Sequence, residues 1–184
     1  NYVAYPVSVS SFRRKVFRDL SGRTGLRNLL ALVKGEGGDL MTRGSKQQSP
    51  LVQGVVTNSI LAIVLLAAGV GELYLIWVVA YLTIYPFAAR VRQLAEHGNV
   101  NNLYDPDPRQ HTRTTLANGF ERLLICPNRV NFHCEHHLLA SVPCYRLPAL
   151  HGLLRSRGFY DEHGEALTRG YWAVVRNAVS SHER

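Results

Sequence analysis

Between residues 51 and 89 the sequence has one charged side chain, Glu72. Histidine is missing from residues 1–96, so all eight histidines lie in the second half. Cysteine is scarce: Cys126, Cys134 and Cys144 make no CxxC pair and leave an odd thiol. That argues against a disulfide-stapled secreted module and favours a reducing compartment. Fifteen glycines and eight prolines follow no period, which excludes a collagen-like chain. With 46% hydrophobic and 18% charged residues, the chain is no disordered polyelectrolyte. A length of 184 residues suits one compact unit with a real core.

Charge is plentiful elsewhere. Lys and Arg number 21 against 13 Asp and Glu, a net charge of +8. Such an excess points to nucleic acid or to an anionic membrane surface. Its distribution separates the two. Residues 1–50 hold nine basic and three acidic groups, and residues 90–184 hold twelve and nine. An uncharged island with a basic approach is a membrane pattern. No finger spacing or other nucleic-acid motif accompanies the charge. The sequence opens at Asn1, not Met, and is read as part of a longer or trimmed product.

Residues 51–70 and 73–89 are apolar and separated by Gly71 and Glu72. A helix needs about 20 apolar residues to cross the hydrocarbon core. Both stretches qualify, and the short connection makes them an antiparallel hairpin. Arg43 and Lys46 precede it; Arg90 and Arg92 follow it. Positive residues stay on the cytoplasmic side, so both ends of the hairpin are expected there, with Glu72 outside. Tyr74, Trp77, Tyr81 and Tyr85 are candidate interface anchors. The competing reading is a buried helical hairpin of a soluble protein.

Ser10 and Ser11 are read as the cap of a helix running to about Leu20. Phe12, Val16, Phe17 and Leu20 share one side of it, and Arg13, Arg14, Lys15 and Arg18 lie largely on the other. This fits a basic helix on a membrane surface or an ordinary surface helix. A second short helix carries Leu26, Leu29, Leu30 and Val33, and Gly35 to Pro50 reads as a polar loop. Beyond the hairpin, residues 99–113 read as a loop with the turn signal Asp105-Pro106-Asp107-Pro108. Residues 115–125, 147–156 and 166–180 read as helices, the last with Tyr171, Val174, Val175 and Ala178 on one face.

The strongest chemical signal is His133-Cys134-Glu135-His136-His137. On a helix, positions i, i+3 and i+4 face one way, so three imidazoles can converge. Neutral imidazole is a ligand for iron, zinc, copper or nickel. A single zinc with an open position would activate water and need a base. Glu135 is the nearest carboxylate, but it points off the ligand face, and no HExxH motif occurs. Hydrolysis is therefore not favoured. His97 extends the second span by about two turns past Arg90 and Arg92. It is read as a further ligand, or else as a helix-end histidine. His111 is read as solvated, His151 as structural, and His163 and His182 are given no role.

These residues carry a resemblance. Asn131 to Leu139, followed by Val142-Pro143 and Leu147-Pro148, resembles the third histidine box of the integral-membrane fatty acid desaturases. Arg18 to Gly25 resembles the stretch after the second box, and Arg92 to His97 the segment after the last span. Ala140 stands where related sequences often have Pro. The resemblance implies an all-α membrane protein with a cytoplasmic cap and a non-haem di-iron centre held by eight or more histidines. His97, His133, His136 and His137 would be this chain's share of the metal ligands. The boxes HxxxH and HxxHH that should precede them are missing, which implies the C-terminal part of a longer enzyme, incomplete and inactive alone. Glu135 or Glu96 would support the ligands by hydrogen bonding. The implied reaction is oxygen-dependent desaturation of a fatty acyl chain in lipid, using O2 and an electron donor such as ferredoxin or a b-type cytochrome. A carotenoid ketolase or hydroxylase on the same scaffold, and a non-catalytic membrane module, remain alternatives.

Overall fold

A computed structural model describes residues 5–39 and 49–180. The expectations for Arg43, Lys46 and His182 lie outside the described residues. The chain forms two compact units. One comprises Lys15–Phe87, the other Asn1–Arg14 with Ala88–Arg184.

The Lys15–Phe87 unit is helical. It holds part of α1 (Val9–Leu20), then α2 (Arg23–Asp39), α3 (Pro50–Ala67), α4 (Glu72–Leu82) and the start of α5 (Ile84–His97). Ser49 caps α3 by accepting the Val52 N–H at 3.4 Å, with Pro50 in the first turn where no N–H is needed. The helix closes at Ala68, and Gly69 takes a φ of +74°, which a side chain would resist. Pro86 explains the break between α4 and α5. It has no N–H for the Leu82 carbonyl and its ring crowds that carbonyl, so the ladder interrupts at Thr83. Thr83 turns its hydroxyl back to the Val79 carbonyl at 2.7 Å.

Two stretches are long and apolar enough to cross a membrane, Pro50–Ala67 and Glu72–His97. The most apolar window of the first buries none of its residues, and that of the second only 6%. Val52, Val56, Ile60, Ile63, Leu75, Ile76 and Val79 are all exposed. A core helix of a soluble protein would hide such side chains, at roughly 1.5–3 kcal/mol each. The surface therefore suits lipid. Between α3 and α4, the Trp77 indole N–H donates to the Asn58 side-chain oxygen at 2.9 Å. Tyr81 and Tyr85 stack with centroids 5.7 Å apart.

The Arg18 to Gly25 stretch has a packing reason. Asp19 is fully buried and accepts the Thr24 hydroxyl at 2.6 Å. Gly22 turns the chain at a φ of +78°. Gly25 meets α4 so closely that a Cβ there would sit 2.3 Å from the Leu82 carbonyl oxygen.

The second unit is mixed. Strand β1 (Val7–Ser8) pairs in parallel with β4 (Val179–Ser180), and β2 (Thr114–Leu116) pairs in parallel with β3 (Leu167–Arg169). Around them lie α6 (Pro108–His111), α7 (Gly119–Leu124), α8 (His133–Leu138), α9 (Leu147–Ser156) and α10 (Tyr171–Ala178). Leu94, Ala95, Cys134, Leu147, Tyr160, Ala166, Tyr171 and Val174 form the buried interior.

The protein is mostly helical, but an all-α reading is corrected by the two small sheets. The expected 115–125 helix is β2 followed by α7, because Thr114 and Thr115 favour extended backbone and Asn118 starts a fresh helix. Asn118 and Glu121 form a reciprocal capping box. The expected 166–180 helix shortens to α10, since Leu167–Arg169 is claimed by β3 and Gly170 has a φ of +76°. Helix α2 runs on through the glycines assigned to a loop, to Asp39. Ser8, not Ser10 or Ser11, caps α1 by accepting the Ser11 N–H at 3.3 Å. Residues 147–156 are helical as expected.

Candidate metal centre

Helix α8 is short, and its neighbours hold it in place. Before it, the Asn131 side chain donates to the Thr115 carbonyl at 2.9 Å, and the Thr115 N–H donates back to the Asn131 carbonyl at 2.9 Å. This clamps the start of α8 to β2. Glu135 then anchors the helix from behind. It is fully buried and accepts hydrogen bonds from the Thr114 hydroxyl, from His151 Nδ1 at 2.5 Å and from the Tyr160 hydroxyl at 2.6 Å. Burial alone would raise its carboxyl, but the three bonds together bring it below the usual range. The charge of Glu135 also helps to push the Tyr160 hydroxyl well above its ordinary value, after burial itself. Glu135 is thus an anchor beneath the box, facing away from the imidazoles, and His151 is structural as expected.

On the other face of α8, His133 and His137 lie one turn apart. His97 comes to them from the end of α5. His133 Nε2 lies 2.9 Å from His97 Nε2 and 3.1 Å from His137 Nε2. Ligand-capable nitrogens of all three fall within 4.8 Å of one another. Burial first, then repulsion from the neighbouring imidazoles, lowers His133 to about 3. The same causes lower His137 to about 4. Both rings are therefore neutral at pH 7, the form in which imidazole binds a metal.

The donor set fits a cation. His97 Nδ1 lies 3.0 Å from the His111 carbonyl oxygen, which only accepts. The proton of neutral His97 is therefore on Nδ1, and Nε2 presents a lone pair. One proton on His133 Nε2 can serve only one strong hydrogen bond to its two neighbours. A cation in the same place takes up all three nitrogens at once.

His136 stands apart from this trio. It is exposed, with its ring centroid 6.0 Å from those of both His133 and His137. It lines a cleft of about 360 Å³ together with Arg92, Glu96, His133 and Cys144. Glu96 is buried, bridged to Arg92 Nε at 3.4 Å, and its carboxylate reaches within 4.0 Å of His133 Nδ1.

The structure corrects the reading of His111 as a solvated loop residue. Asp107 caps α6 by accepting the Arg109 N–H at 2.9 Å, and α6 carries His111 inward. His111 Nε2 comes to rest 3.2 Å from His137 Nδ1. The Asp-Pro-Asp-Pro signal marks this turn, but nothing in linear spacing reveals that it points at the box. His163 is held by Gln110 at 3.1 Å and lies near Glu165, away from the trio.

The sequence profile described as fatty acid desaturase matches residues 4–171. No curated protein and no solved structure shows significant similarity to the chain. A match over nearly the whole chain, with the histidine trio assembled inside it, makes this protein a member of the fatty acid desaturase family.

Proposed function

We propose that the chain serves oxygen-dependent desaturation of a lipid-borne fatty acyl chain, at a non-haem di-iron centre to which it contributes His97, His133, His136 and His137. Membership of the family implies an oxidoreductase acting on a lipid acyl substrate. The observation that carries the proposal is the convergence of three imidazole nitrogens, with no resident proton set that satisfies them, inside a chain of this family. His97, His133 and His137 would hold one ion, and His136 would contribute to the other from the cleft side. Bound iron supplies the reduction of dioxygen and the breaking of unactivated C–H bonds, chemistry no side chain performs alone.

The chain's own residues do the positioning. The His111 carbonyl holds the Nδ1 proton of His97, so the ring offers Nε2. Burial raises the Glu96 carboxyl to about 7, with Arg92 opposing. In its ionised form, 4.0 Å from His133 Nδ1, it favours a proton on that nitrogen and leaves Nε2 bare. Glu135, fixed by three donors, keeps α8 from rotating. Four histidines fall short of the eight or more that the family resemblance implies. We therefore place this chain as the part carrying the last box, with HxxxH and HxxHH boxes elsewhere in the enzyme supplying the rest.

In the same reading residues 51–70 and 73–89, which hold α3, α4 and the first part of α5, stand in the bilayer. Both ends of the hairpin lie on the cytoplasmic side, as Arg43, Lys46, Arg90 and Arg92 favour. The acyl chain enters from the lipid. The basic surface suits an acidic electron donor such as ferredoxin or a b-type cytochrome, or anionic headgroups.

The test begins with the coding sequence upstream of Asn1. The full reading frame, with both earlier boxes, is expressed with an electron donor, and iron and acyl products are measured. Bound iron and lipids lacking two hydrogens are expected. Gain of oxygen in the product would favour a hydroxylase or ketolase instead. Absence of iron from the full-length protein would sink the enzyme reading.

A further inference from the structure

We propose that His111 is a positioning residue that sets the ligating nitrogen of two imidazoles at once, His97 through its backbone and His137 through its ring. The purpose given to it rests on the metal reading above; its geometry does not.

His111 Nδ1 lies 2.7 Å from the Asp105 carbonyl oxygen. A carbonyl only accepts, so Nδ1 carries the proton of the neutral ring, and Nε2 is left as an acceptor. That Nε2 faces His137 Nδ1 at 3.2 Å. For this contact to be a hydrogen bond, His137 must carry its proton on Nδ1. His137 Nε2 is then bare, and it is the atom that points at His133 Nε2. The ring planes are 71° apart and the centroids 5.1 Å, a separation that an N–H···N contact between two imidazoles allows. Independently, the His111 carbonyl accepts His97 Nδ1 at 3.0 Å, leaving His97 Nε2 bare as well.

The residue can do this because its own position does not depend on the site it serves. The turn before it is closed by Asp105, which accepts the Asp107 N–H at 2.9 Å. Asp107 caps α6 and pairs with Arg109, whose guanidinium also reaches the Phe159 carbonyl at 3.0 Å. The Thr112 hydroxyl ties the end of α6 to the Pro108 carbonyl at 2.6 Å. His111 is therefore presented by a preassembled turn.

This division of labour gives an internal control. Replacing the ring leaves the backbone carbonyl in place. His111→Phe should release the His137 tautomer and leave that of His97 unchanged. Histidine tautomers are read by long-range proton–nitrogen NMR on the metal-free chain in detergent micelles, and Co(II) affinity by its visible absorption. Wild type should show the proton on Nδ1 of both His97 and His137. His111→Phe should shift His137 toward the other tautomer and weaken Co(II) binding roughly 10- to 100-fold, the usual effect of losing a ligand's hydrogen-bond partner. His111→Gln, which restores an acceptor oxygen, should recover most of that affinity.

A proton on Nε2 of His137 in the wild-type protein would overturn the proposal without any variant. So would a His111→Phe chain with unchanged tautomers, or one binding Co(II) as tightly as wild type. Failure of the wild-type chain to bind Co(II), with the tautomers as stated, would instead remove the metal reading under which His111 acquires its purpose.

Discussion

His97 and His133 present their Nε2 atoms to each other at 2.9 Å, across a separation of 36 residues. Helix α5 delivers one ring and α8 the other. Two bare imidazole nitrogens at this distance repel unless a proton or a cation lies between them. With His137 Nε2 also beside His133, the central ring is the one on which the arrangement depends.

His133→Ala should accordingly abolish the trio. Loss of a ligand should exceed the roughly 10- to 100-fold effect of a supporting residue, so Co(II) affinity should fall by more than about 100-fold. His136→Ala should weaken binding at the trio far less, because its ring stands apart. Equal losses in the two variants, by titration of the full chain, would contradict this assignment.

Acid should destabilise the metal-free fold through the same rings. His133 is lowered to about 3 and His137 to about 4 in the folded protein, against about 6.5 for an unfolded histidine. Between those values the unfolded chain takes up protons that the folded chain refuses. The contribution of these two rings should therefore be level above about pH 6.5, fall as pH drops toward 4 and level off near 3. Glu96, raised to about 7 by burial, works in the opposite direction between about pH 7 and 4.5. His133→Asn should flatten the curve. Thermal midpoints of the two proteins across this range give the comparison, and superimposable slopes would refute it.

Removal of the Glu135 carboxylate should be costly. Glu135→Ala would leave Thr114, His151 and Tyr160 without their shared acceptor in a buried place. A loss of about 3 kcal/mol is expected, by the usual cost of stranding buried polar partners. Tyr160→Phe removes one bond only and should cost about 1–2 kcal/mol. Denaturant unfolding measures both, and a smaller effect from the glutamate variant would be the wrong order.

Two glycines of α2 should respond in opposite directions. Gly25→Ala drives a methyl against the Leu82 carbonyl and should destabilise by about 1–3 kcal/mol, as overpacking does. Gly35→Ala meets nothing within 4 Å and should stabilise the helix by up to about 1 kcal/mol. Melting of the solubilised protein decides. A neutral Gly25→Ala would mean that α2 and α4 are not so closely packed.

The elements set by local pattern were readable from the sequence. The apolar runs became α3 and the α4–α5 stretch, and the i, i+3, i+4 histidines fell on one helix. What depended on distant partners was not readable. Thr114 to Leu116 became a strand because Leu167 to Arg169, far along the chain, pairs with it. His111 looked like a solvated loop residue because the burial of a short turn is decided by what packs against it. His136 shared the spacing of its neighbours but not their convergence, since three positions on a helix span an arc and a compact trio requires a ring from elsewhere. His97 supplies that ring.

The bond between Trp77 and Asn58 bears on how such a hairpin is made. An amide in the middle of α3 is a poor guest in hydrocarbon when it stands alone. Its oxygen finds a donor only once α4 is alongside. In a bilayer this bond would favour α3 and α4 standing side by side over α3 standing alone.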